Sequence, residues 1–194
     1  MIRHTRGMSA PPTSTRELIR VLESGVRVKY LFFWGHHERR DGSLGPSCLS
    51  QWWPVEFEAD GERFASAEHY MMWRKARLFG DEALAARILA ATHPNQAKAL
   101  GRQISGFDEE TWVRERFAVV VAGSLAKFSA RDDLRDFLLG TGDRVLVEAS
   151  PLDRVWGIGL AAGDASADEP VRWRGLNLLG FALMRARYEL AGAS

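Results

Sequence analysis

The chain has 194 residues, of which 46% are hydrophobic and 26% charged, a balance that excludes a disordered or fibrous protein and suits one globular domain. Its 26 basic and 25 acidic residues leave a formal net charge of +1, so the molecule as a whole does not steer polyanions over long range, although a local basic site stays compatible with it. The basic residues are almost all Arg; the four Lys are Lys29, Lys75, Lys98 and Lys127, and seven Trp share the same modest length.

The single cysteine, Cys48, has no partner for an intrachain disulfide, and there is no CxxC or Cys/His cluster for zinc, which points to a reducing cytoplasm. Residues 1–14 lack the apolar run of a secretory signal, and no stretch approaches the roughly 18 apolar residues of a membrane span.

In chain order, residues 1–13 read as a flexible leader. Ser14 stands three before Glu17, a capping-box spacing that opens a short helix ended near Gly25. Leader and helix together make a division at 1–26, with the main domain over 27–194. Val28–Trp34 is a candidate buried strand, and Gly35–Ser47 reads as a polar loop. Val55, Phe57 and Phe64 flank Asp60-Gly61 in a hairpin pattern.

Helices then follow in succession. Ser66 caps one running to about Phe79, and Asp81 caps another to about Ala91. Pro94 suits the first turn of a third, ending before Gly106. Asp108 caps the longest, with Glu109 and Glu110 at its positive start and Lys127 near its negative end. Arg131–Leu139 is short and closed by Gly140. Val145–Ala149 is a second buried strand. Ala161–Pro170 is small and acidic, the best candidate for a mobile loop. Gly175–Leu190 is a final helix with one apolar stripe. The fold class is therefore mainly α with small β elements (α+β) in a single compact domain, without a βαβ array.

Several residues stand out chemically. Glu68 falls in the first turn of its helix, where an acid complements the macrodipole and where exposed backbone N–H groups favour its ionised form. Lys75 shares that helix face. Lys98 and Arg102 lie at i and i+4, so two like charges meet across Gly101; they form either a solvated face or an anion site, with Lys as a point charge and Arg as a fork. Trp112, four past the cap Asp108 and opposite Phe107, is either a hydrophobic staple or a flat face for a nucleobase. Asp153, three before Trp156 in a Gly-rich turn, is either a turn residue or an acid at a pocket edge. Gly157 and Gly159 make only a partial dinucleotide-type motif. His69 reads as a packed or capping residue, and no metal-binding spacing joins the histidines.

Taken together, Phe32-Phe-Trp-Gly, Cys48-Leu-Ser-Gln-Trp-Trp-Pro, Phe64-Ala-Ser-Ala-Glu-His-Tyr, Lys75-Ala, Phe79-Gly-Asp, Pro94, Lys98 with Gly101-Arg102, Trp112, Lys127-Phe, Leu146-Val-Glu-Ala, Asp153-Arg-Val-Trp-Gly-Ile-Gly and Asn177-Leu-Leu-Gly resemble the YbiA-like, or NADAR, family from about Tyr30 to Leu190. The resemblance implies a mainly helical domain with N-glycosidase activity on phosphorylated ribosyl-aminopyrimidine intermediates of riboflavin biosynthesis, giving ribose 5-phosphate and free base. Other members of the family act on ADP-ribosylated guanine in nucleic acid. The family's functional positions fall on Glu68, Trp112 and Asp153. Where the family usually has Leu-Ser-Asn-Phe this chain has Leu49-Ser-Gln-Trp, a difference that bears on base or ribose recognition.

The expectation is thus a cytoplasmic hydrolase of N-glycosyl bonds. Glu68, Asp153 and Trp112 form its catalytic set, and Lys75, Lys98, Arg102, Trp156, Gly157 and Asn177 form its substrate-binding set. It needs no metal or redox cofactor and has no membrane partner. The alternatives are removal of ADP-ribose from modified nucleic acid and a non-enzymatic ADP-ribose-binding module.

Overall fold

The computed structural model describes residues 10–192; the first nine residues of the expected leader lie outside that range. Helix α1 (Thr15–Glu23) opens as its sequence implies. The Ser14 hydroxyl accepts from the Glu17 amide at 3.2 Å, while Glu17 reaches back to the Thr13 amide at 2.7 Å. Its Leu18 is fully buried in the common core.

Strand β1 (Tyr30–Phe33) pairs in parallel with β4 (Val145–Glu148), in the register Tyr30↔Val145 to Phe33↔Glu148. Between them in sequence lie a hairpin and all the α-helices except the first and the last, so the sheet is closed by one long, mostly helical crossover. The second sheet is the expected hairpin, β2 (Phe57–Ala59) with β3 (Glu62–Phe64), turning on Asp60 and Gly61, both at positive φ.

The helical succession follows the capping signals. Helix α2 (Ala67–Leu78) is buried along most of its length. Helix α3 (Glu82–Leu89) is capped by Asp81, whose Oδ1 accepts from the Leu84 amide at 3.0 Å and whose Oδ2 accepts from Ser105. Pro94 begins α4 (Pro94–Gly101). Asp108 accepts from the Thr111 amide at 2.8 Å to start α5 (Glu109–Ser129), which is followed by α6 (Asp132–Gly140) and α7 (Leu178–Gly192). Helix α2 packs on α3, α4 and α5, and α7 packs on α5 and β4. Together they enclose a core containing Phe64, Phe128, Phe181 and Leu146. No helix among the described residues is long and apolar enough to cross a membrane.

Residues 161–170 form the expected loop, with specific ties. Asp164 caps a tight turn through the Ser166 amide, Ala167 is buried, and its carbonyl accepts from the Trp173 indole at 2.8 Å. Small side chains allow the backbone to be pinned against Trp173 where larger ones would hold it off.

Candidate active site

A cleft of about 680 Å³ opens where the first turn of α2, the last turn of α4, the segments 34–37 and 50–52, the end of β4 and the turn after it converge. Of the residues singled out in the sequence, Glu68, Asp153, Lys75, Lys98, Arg102 and Trp156 line it. Trp112, Gly157 and Asn177 do not.

Glu68 departs from the ionised, helix-start carboxylate expected of it. Its amide donates to the Gln51 carbonyl at 2.9 Å, which folds the 50–52 segment over the helix start and shuts out water. The side chain is buried, and Oε1 has no hydrogen-bond partner. Burial pushes its pKa up to about 7, and Asp153 adds to the rise; the attraction of Lys98, a hydrogen bond from Trp52 and the more distant Arg102 oppose it. Desolvation is the larger effect here and outweighs the favourable helix end. Nor does Ser66 cap the helix through its side chain: its hydroxyl bonds His69 Nδ1 at 2.7 Å. His69 Nε2 donates to the Ala91 carbonyl at 3.1 Å, leaving Nδ1 as the acceptor, so this histidine is a buried strut.

Asp153 combines its two readings. Its Oδ1 accepts from the Val155 amide at 2.9 Å and the Trp156 amide at 2.8 Å, a turn role, while the residue also lines the cleft. A third acid joins these two. Glu148, the last residue of β4, opens on the same cleft, and its Oε2 is buried without a partner. Burial, with Asp153 and Glu68 as like charges, pushes its pKa up to about 8, against the attraction of Lys98.

The cations separate into two kinds. Lys98 and Arg102 line the cleft from α4, and neither is held in a salt bridge among the described residues. Gly101 between them allows close approach, since a Cβ there would stand 2.1 Å from Met72 Sδ on α2. Lys75 is committed within the fold: its ammonium donates to the Gly101 carbonyl at 2.9 Å and stands over the Phe107 and Trp112 rings at 4.2 and 5.6 Å. Trp112 therefore lies behind Lys75, buried in the core.

Trp52 and Trp156 supply the flat faces of the cleft, with Lys98 Nζ 5.7 Å from the Trp52 ring. His36 lies 5.5 Å from Trp52, ring to ring. At the rim, Trp34 and Leu152 are 65% and 91% exposed. Gly157 sits where a Cβ would meet the Glu148 carbonyl at 2.8 Å, and Asn177 is fully buried against β4.

Sequence reasoning gave no site role to Glu148 or Trp52, and it marked Lys127 only through its type and motif. Lys127 is fully buried on α5, and its ammonium donates to the carbonyls of Cys48 at 2.6 Å and Ser50 at 2.7 Å, which props up the segment that lines the cleft. Its isolation as one of four lysines in an Arg-rich chain was the available signal. A compact ammonium fits between two carbonyls where a planar fork does not. Burial pushes the nearby Cys48 thiol up to about 11, so it is no nucleophile.

The NADAR domain family model matches residues 32–191. N-glycosidase R617 of Acanthamoeba polyphaga mimivirus is 42% identical over 166 residues, covering 83% of this chain and 96% of that protein. N-glycosidase YbiA of Escherichia coli (strain K12) is 31% identical over 139 residues, covering 72% and 77%. The riboflavin biosynthesis protein VVA0006 of Vibrio vulnificus is 32% identical over 142 residues, which cover 73% of this chain but 35% of that protein. The NMR structure of the E. coli protein YbiA superposes with a TM-score of 0.66 at 26% identity, over 87% of this chain and 88% of that one.

Proposed function

The chain belongs to the NADAR family and is a hydrolase of N-glycosyl bonds, and from that premise we propose that it cleaves the N-ribosyl bond of a small phosphorylated aminopyrimidine riboside, releasing ribose 5-phosphate and free base. One observation carries the substrate reading: an acidic floor of Glu68, Glu148 and Asp153 shares a cleft with two tryptophan faces and with Lys98 and Arg102, which form no salt bridge among the described residues. The Vibrio relative is named for riboflavin biosynthesis, which supports a substrate from that pathway.

Departure of a base from C1′ leaves an oxocarbenium-like sugar, which an adjacent carboxylate stabilises while a water is activated on the open face. Glu68 takes this role when ionised, held by Trp52 and attracted by Lys98. Asp153, fixed by two amides on one oxygen, directs the water or the ribose hydroxyls. Lys98 and Arg102 take the 5′-phosphate, as a point charge and a fork. Trp52 and Trp156 sandwich the pyrimidine, the stacking role that the sequence suggested for Trp112. Burial within the cleft strengthens each of these interactions by excluding water.

A second reading draws on the rim. Trp34 and Leu152 are too exposed to serve a mononucleotide held on the floor, and they suit a substrate that extends outward, such as ADP-ribosylated guanine in nucleic acid. The purified protein is given each riboside 5′-phosphate and, separately, an ADP-ribosylated guanine oligonucleotide, and free base and sugar are followed by mass spectrometry. Release from the small riboside supports the first reading, release from the oligonucleotide alone supports the second, and binding without release in every case leaves a binding module.

A further inference from the structure

Glu148 has a rigid frame and an unsatisfied head. Its amide donates to Asn177 Oδ1 at 3.0 Å, and its carbonyl accepts from the Ile158 amide at 2.9 Å. A Cβ on Gly157 would stand 2.8 Å from that carbonyl, so the turn closes directly against the residue. The backbone is thus held by β4, by the loop before α7 and by the turn that carries Asp153. The carboxyl it presents to the cleft has a buried Oε2 with no donor, and Glu68 presents a buried Oε1 in the same condition.

Two acids that each hold a buried, unpartnered oxygen against one cavity do not ionise together without large cost. One of the two keeping its proton relieves it, and their titration belongs to the pair. The charged and titratable groups around Glu148 are Asp153 and Glu68, which favour its protonated form, and Lys98, which opposes it; Lys75, Arg102, His36 and His37 line the rest of the cleft. Trp52 donates to the Glu68 carboxyl and favours its charged form, whereas no donor reaches the buried Oε2 of Glu148 among the described residues, so the proton resides on Glu148.

We propose that Glu148 is a catalytic residue, the acid that delivers a proton to the departing nitrogen. This rests on the N-glycosidase reading above. The C1′–N bond breaks with its electron pair left on nitrogen, and the Glu148 proton moves to that nitrogen. A water oxygen bonds C1′, and the proton it sheds passes to the Glu68 carboxylate. Return of that proton from Glu68 to Glu148 resets the pair, so one water is consumed and no net proton is exchanged. Glu148 and Glu68 thus trade protonation states once per turnover.

The test compares Glu148→Gln and Glu148→Asp with the wild type on two substrates: an aminopyrimidine riboside 5′-phosphate, whose nitrogen needs a proton to leave, and 4-nitrophenyl riboside 5-phosphate, whose phenolate does not. Glu148→Gln is expected to lower kcat/KM about 100-fold or more on the first and less than about 3-fold on the second, with Glu148→Asp intermediate on the first. Independently of the second substrate, wild-type kcat falls as pH rises through about 8, and Glu148→Gln lacks that fall. Unchanged turnover of the aminopyrimidine riboside, equal losses on both substrates, or persistence of the alkaline fall in Glu148→Gln overturns the assignment. Melting curves check that the variants are folded. A wild type that cleaves no N-riboside rejects the N-glycosidase reading itself, whereas a wild type that turns over beside an equally active Glu148→Gln rejects Glu148 alone.

Discussion

The Asn177 carboxamide clamps the end of β4: its Oδ1 accepts from the Glu148 amide at 3.0 Å, and its Nδ2 donates to the Leu146 carbonyl at 2.9 Å. Asn177 holds this position at φ 52, a left-handed conformation that Asn tolerates better than most residues. Asn177→Ala forfeits both buried bonds and keeps the strained backbone. It should cost roughly 2–4 kcal/mol in denaturant unfolding and lower turnover by loosening Glu148. A loss below about 0.5 kcal/mol would show that the clamp holds nothing.

Gly180, three residues on, makes the same contact steric. A Cβ there would stand 2.1 Å from the Leu146 carbonyl and 2.5 Å from Asn177 Nδ2, so Gly180→Ala has to push α7 away from β4. The expected outcome is a drop in stability of roughly 1–3 kcal/mol, seen as a lower Tm.

The acid limb of the pH–rate profile belongs to Glu68. Its stabilising role needs the ionised form, and its carboxyl is raised to about 7, so kcat/KM should fall as pH drops through about 7 instead of near the ordinary 4.5. Trp52→Phe deletes the indole donor that favours the ionised form and should move this limb to higher pH. The stability linkage has its own sign: a carboxyl raised on folding contributes stability below its unfolded pKa and loses it as pH rises through the folded value. Glu148→Gln should therefore gain in Tm relative to wild type as pH goes from 5 to 9. A difference flat with pH would mean that Glu148 keeps an ordinary pKa.

Lys127→Met leaves the Cys48 and Ser50 carbonyls without their buried donor. It should cost roughly 2–4 kcal/mol and raise amide exchange across residues 48–52, because the segment that covers Glu68 loses its prop. Lys127→Arg should not restore the wild-type value, since the space is shaped for an ammonium.

Much of this organisation was legible in the chain. Capping residues such as Ser14, Asp81 and Asp108, together with Pro94, marked helix starts because each supplies a specific local device, and Asp60-Gly61 marked the hairpin because its residues tolerate positive φ. Pairing of β1 with β4 was not legible: strands more than 100 residues apart carry no local sign of each other. The same limit governed the site. Glu68 and Asp153 stood out through their turns, but the proton balance of Glu68 depends on Gln51 closing over it and on Glu148 arriving from another strand. Lys75, expected in the substrate-binding set, gives a hydrogen bond to the Gly101 carbonyl that α4 brings to it, a contact 26 residues away that no local pattern announces.

Lys98 offers the sharpest test of the phosphate assignment. Lys98→Ala should raise KM about 10-fold or more for a riboside 5′-phosphate and leave the KM of the dephosphorylated riboside nearly unchanged, since a charge-assisted contact to substrate is lost only where the phosphate is present. Equal effects on both substrates would place the phosphate elsewhere.

Ionised Glu68, in a water-excluding cleft, is proposed to drive N-ribosyl cleavage. Parallel turnover of an aminopyrimidine riboside 5′-phosphate by the wild type and Glu68→Gln, with ribose 5-phosphate and free base quantified by mass spectrometry, tests this role directly. The wild type should release both products in equal amounts, and the variant, folded to the same Tm or higher, should lose about 100-fold or more of kcat. Wild-type turnover matched by Glu68→Gln would contradict the account and leave Glu68 a charge at the start of a helix.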